Sequence, residues 1–156
     1  MDKEVVGPAL GKISSGIYIA TGKLDGRPVG MLCSFVEQAS FHPPLITIAI
    51  GPDRLLAKAL QTDPALGLNV LGDHNKALMG PFASSANENP FAEVDLKPND
   101  HGLPQLVEAL SFLRCEVRQC VEAGDHLLFL AEVLDGELQD DEEEPMIRFR
   151  RNGFQY

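Results

Sequence analysis

Along this 156-residue chain the spacing of apolar and polar positions mostly follows the period of two expected of strands. Residues 13–21 (ISSGIYIAT) are β-branched and aromatic-rich and predict a strand, and a turn over 22–28 leads to a second apolar segment at 29–36. The two form a hairpin. His42-Pro43-Pro44 breaks the chain, and 45–50 (LITIAI) is apolar throughout, as in a strand covered on both faces. Leu55, Leu56, Ala59 and Leu60 switch to helical spacing behind Asp53 as N-cap. Residues 66–71 predict another strand, and Asp73 caps a short helix over 74–79, stopped by Gly80-Pro81.

Residues 84–104 are polar and proline-containing, a long loop of the kind that covers binding sites. Alternation returns at 113–121, turns at 122–125 and runs back through 126–134, apolar on both sides for most of its length. Residues 147–154 predict a last strand. Six or more short strands with two short helices predict a mainly β barrel with helical insertions, in a single domain over 1–156.

Charge modifies this picture in one place. The net charge is −10, but residues 135–144 (DGELQDDEEE) hold seven acids and no base, and the remainder carries only −3. Such a run reads as a solvated loop, with docking of a partner protein as its functional alternative. No basic stripe is present to bind nucleic acid. No apolar run approaches the roughly 18 residues of a membrane span, and Met1-Asp2-Lys3-Glu4 leads into no signal sequence, so a cytoplasmic location is expected.

Several chemistries are removed by spacing. Cys33, Cys115 and Cys120 are odd in number and expected as free thiols, and five residues place Cys115 and Cys120 on opposite strand faces. His42, His74, His101 and His126 are singletons, so no metal site is expected. No two glycines flank a single residue, and Gly67 to Gly72 is followed by Asp73-His74 instead of Lys-Ser. Neither a dinucleotide fingerprint nor a P-loop is present.

Taken in order, seven segments resemble the flavin reductase-like domain, an FMN-binding split barrel, over roughly residues 10–156. They are 15–21 (SGIYIAT), 29–35 (VGMLCSF), 39–45 (ASFHPPL), 68–71 (LNVL), 102–106 (GLPQL), 113–117 (LRCEV) and 124–126 (GDH) running into 131–133 (AEV). The spacing through Asp53-Arg54 and Phe82 is similar to the flavin reductase module of cyanobacterial flavodiiron proteins. The resemblance implies a homodimer that binds FMN near its subunit interface and takes hydride from NADH or NADPH onto the flavin. An electron-acceptor protein is the alternative partner, and a split barrel that binds a ligand without turnover is the non-enzymatic reading.

By position in that resemblance, Met31, Leu32, Cys33 and Ser34 run along the flavin and its phosphate, and Ala39 and Ser40 approach the polar edge of the ring. Thr21 offers a further donor, Gly22 standing where a second threonine is common. Arg54, with Lys58 one turn later, is the cation expected at the phosphate, and His126 is placed where the nicotinamide approaches. With no tryptophan in the chain, Met31, Phe35, Phe41 and Phe82 are left to supply apolar contact with the ring.

Overall fold

The structure is a computed structural model and describes residues 1–154. It opens with helix α1 (Lys3–Leu10) and strands β1 (Ser15–Gly16), β2 (Tyr18–Leu24), β3 (Arg27–Cys33), β4 (Val36–Phe41) and β5 (Pro44–Ile50). Helix α2 (Leu55–Leu60) and strand β6 (Ala65–Val70) follow, then a single 3-10 turn at Asp73–Asn75 leading into α3 (Lys76–Ala83). The chain closes with β7 (Ser111–Ala123), β8 (His126–Leu138) and the short β9 (Ile147–Arg148). None of the described helices is long and apolar enough to cross a membrane.

Seven strands pair antiparallel in the order β3-β2-β6-β7-β8-β5-β4, while β1 pairs separately with β9. The two ends of the large sheet, β3 and β4, are consecutive in the chain and joined through Ser34 and Phe35. Val29 and Cys33 of β3 and Val36 of β4 share one core cluster with Ile48, Leu66, Cys115 and Phe129 from the other strands. The sheet is therefore rolled around this core, open along the seam between β3 and β4. This is the mainly β split barrel with short helical insertions.

A second cluster lies outside the barrel wall, where Ile17, Ile19, Leu71 and Phe82 meet Leu106 and Met146. Alternate residues of β2 serve the two clusters, because Cβ atoms along a strand point to opposite faces. That explains why Ile19, Ala20, Thr21 and Gly22 are all buried.

Several boundaries differ from the sequence expectation. The first strand is broken at Ile17, and the turn after it shrinks to Asp25 and Gly26, whose φ of 52° and 75° suit a two-residue hairpin. Helix α3 runs to Ala83 with Pro81 inside it, because burial of Phe82 outweighs the backbone bond that proline removes near a helix end. The first four residues of the acidic run are strand, with Arg114↔Asp135, Leu113↔Gly136 and Phe112↔Glu137 paired across β7 and β8. Only Ile147 and Arg148 of the last expected strand pair, and α1 carried no forecast.

Part of the 84–104 loop is fastened to the barrel. Lys97 and Gln105 are joined through their backbones, Val107 N–H donates to Asp95, and buried Asn69 accepts from Leu106 N–H at 2.8 Å. What remains outside this clasp includes Phe91, whose ring meets Phe82 edge-on at 5.1 Å over Gly30.

Candidate functional site

At the β3–β4 seam lies a cavity of about 340 Å³, within the usual range of ligand pockets. Ile17, Met31, Leu32, Phe35, Ala49 and Ala83 give it an apolar wall. Cys33, Ser34, Gly51, Arg54 and Arg148 complete the lining. Among the described residues no carboxylate lines it, although the chain carries −10. Among the described residues, no ion pair engages Arg54 or Arg148.

Local folding explains the arrangement. β3 ends at Cys33 and β4 starts at Val36, so Ser34 and Phe35 form the link at the seam, held by a 3.0 Å bond from Ala49 N–H to the Phe35 carbonyl. Arg54 occupies the N-cap of α2 with extended backbone, its N–H donating to Gly51. Asp53, expected as the cap, is displaced by one residue, and no side chain caps this helix. Arg148 arrives from β9, opposite Ser15 of β1.

Of the residues singled out from sequence, Met31, Leu32, Cys33, Ser34, Phe35 and Arg54 come together on this cavity. The others lie apart from its lining. Thr21 is fully buried, its hydroxyl donating to the Pro104 carbonyl at 2.9 Å, so it fastens the loop to the barrel wall. Ala39 and Ser40 sit on β4 where its pairing with β5 slips, and Lys58 is exposed on α2. Phe41 is 78% exposed, and Phe82 belongs to the outer core. Burial pushes the Cys33 thiol up to about 12, so it lines the cavity as a neutral group.

His126 opens β8 behind Phe35, with ring centroids 5.8 Å apart and planes at 56°. Its Nδ1 lies 2.7 Å from Asp125 Oδ1, and with Asp125 accepting, Nδ1 carries the proton. That bond, and then the charge of the ring, hold the Asp125 carboxyl below its ordinary range. The Arg150 guanidinium stacks over the same Phe35 ring at 4.8 Å, and its buried Nε has no hydrogen-bond partner among the described residues.

Sequence reasoning missed Arg148, Ala49, Gly51, Ala83 and the lining role of Ile17. The signal for Arg148 was the alternation IRFR at 147–150. Ile147 and Phe149 are 62% and 71% exposed, so the arginines between them turn inward.

The flavin reductase like domain profile matches residues 10–156. The chain belongs to the flavin reductase-like domain family. Diflavin flavoprotein A 1 of Synechocystis sp. is 33% identical over 153 residues, which are 95% of this chain and 26% of that protein. This flavin reductase-like domain thus spans about a quarter of the length of that curated relative. Among solved structures, flavin reductase PheA2 is 31% identical with a TM-score of 0.82, covering 96% of this chain and 94% of that one. NADH:FAD oxidoreductase SgcE6 of Streptomyces globisporus, in complex with NAD and FAD fragments, is 26% identical with a TM-score of 0.83, covering 94% and 86%.

The residues present fit a phosphorylated flavin. An apolar wall suits the ring system, and the Ser34 hydroxyl with an unpaired guanidinium suits a phosphate.

Proposed function

We propose that this flavin reductase-like domain is an NAD(P)H:flavin oxidoreductase that uses FMN and acts as a homodimer. The carrying observation is the seam cavity, which joins an apolar wall to two arginines and, among the described residues, has no carboxylate in its lining.

When bound, the flavin supplies a ring that accepts hydride at N5. The chain's own work is to bind and orient. Ile17, Met31, Leu32 and Phe35 cover the ring and exclude water, while Ser34 and Arg54 hold the phosphate. His126, fixed by Asp125 and Phe35, borders the approach of the nicotinamide. The homodimer is supported by β8, where Phe129 and Ala131 are buried in the barrel while Leu128 and Leu130, on the opposite face, remain half-buried.

An anaerobic visible spectrum of the protein with FMN, followed by NADH and NADPH in turn, tests the reading. The expected outcome is a perturbed flavin band that one or both donors bleach. A perturbed band that neither bleaches would instead assign an electron-carrying module that needs a protein partner. An unperturbed band would refute flavin binding altogether.

A further inference from the structure

Arg148 has no task in the reading above, yet the chain places it with care. β9 is held by pairing with β1, Ser15 opposite Arg148 and Gly16 opposite Ile147. The residues beyond it are clasped to α1. Arg150 N–H donates to the Gly11 carbonyl at 3.3 Å and Gly153 N–H to the Gly7 carbonyl at 2.7 Å. The contact leaves no room for side chains. A Cβ on Gly11 would lie 2.5 Å from the Arg150 carbonyl oxygen, and one on Gly7 would lie 2.6 Å from Asn152. A close-packed strap therefore fixes Arg148 on the cavity and Arg150 over Phe35.

The charge around Arg148 has one missing term. A half-buried guanidinium is normally compensated by a carboxylate, since its burial is otherwise unfavourable. A second cavity, about 230 Å³, differs in that Asp63 and Glu116 share its lining with Arg114. Among the described residues the seam cavity carries Arg54 and Arg148 with no acid. A ligand can bring the compensating anion, and two guanidiniums match the dianion of a phosphate monoester.

We propose that Arg148 is a second phosphate-binding residue of the seam cavity, and that it makes the site select ligands bearing a phosphoryl group. This rests on the cavity being the flavin site. The phosphoryl group belongs either to the flavin or to the nicotinamide dinucleotide, and the two sources separate by experiment.

Affinity for FMN and for riboflavin is measured by flavin fluorescence quenching in the full chain and in Arg148→Gln, Arg148→Lys and Arg151→Gln, with KM for NADH and NADPH alongside. Arg151 is exposed and off the cavity, so its variant makes the same charge change elsewhere. If the flavin's phosphate is read, Arg148→Gln weakens FMN about ten-fold and leaves riboflavin unchanged. If the dinucleotide's is read, FMN affinity holds and KM for the donor rises about ten-fold. In either case Arg148→Lys recovers much of the loss and Arg151→Gln shows none. Wild-type values for both flavins and both donors in Arg148→Gln would overturn the proposal, as would equal losses for FMN and riboflavin. Should Arg148→Gln melt early, Arg148→Met keeps the apolar stem in place and is read by the same criteria. A wild-type protein that binds neither flavin refutes the flavin site itself, a result distinct from any obtained with the variants.

Discussion

Asn69 stands fully buried on β6, and all its hydrogen-bonding capacity is spent on backbone. Its Nδ2 donates to the Ile19 carbonyl at 3.1 Å and the Pro104 carbonyl at 3.4 Å, while its Oδ1 accepts from Leu106 N–H. Removing it strands the buried Leu106 N–H and takes one donor each from the Ile19 and Pro104 carbonyls, a loss of about 3 kcal/mol. Asn69→Ala is therefore expected to lower Tm by roughly 6–12 °C, read by differential scanning calorimetry. Hydrogen exchange should show the Leu106 amide losing protection first. At this scale the site was partly legible from sequence. Met31 to Ser34 and Arg54 sit at the end of a hairpin and the start of a helix, both of which have local signals. The alternation at 147–150 turns Arg148 inward, but the pairing of β9 with β1 that brings it to the cavity joins segments far apart in the chain.

The elements divide in the same way. The hairpin β2–β3, strand β5, helix α2 and the β7–β8 pair follow period and turn chemistry, and the chain forms them where those signals lie. α1 does not, because Gly7 and Pro8 interrupt it and Val5 is 68% exposed. Its support comes from the strap at residues 150–153, a contact between the two ends of the described chain. The acidic run read as a solvated loop because charge counts ignore pairing. Glu137 in fact faces Phe112 across the ladder and ties the loop down through Lys97 and Gln105. Those bonds, from Lys97 first and Gln105 next, hold the Glu137 carboxyl below its ordinary range. A depressed carboxylate stabilises above its unfolded pKa and loses that contribution as pH falls through the folded value. Residues 95–107 are thus expected to exchange amide hydrogens faster, relative to intrinsic rates, once the medium is more acidic than about pH 4. Glu137→Gln should remove that pH dependence.

For the molecule as a whole, β8 presents two unlike faces. Phe129 and Ala131 are sealed in the barrel, whereas Leu128 pairs with Val121, itself 45% exposed, and Leu130 stands across from Gln119. An apolar face of this kind is covered in a homodimer at modest cost to solubility. Sedimentation velocity is expected to show a dimer, and Leu130→Glu to shift it toward monomer with the circular dichroism spectrum retained. A wild-type monomer at all concentrations would refute this. The barrel also has an order of assembly built into its sequence. β9 leaves the ribosome after every strand of the large sheet, whereas its partner β1 leaves before them all. A nascent chain grown to residue 138 holds all seven strands of that sheet, but its cavity has one arginine instead of two. Such a chain has the whole large sheet and only part of the cavity lining.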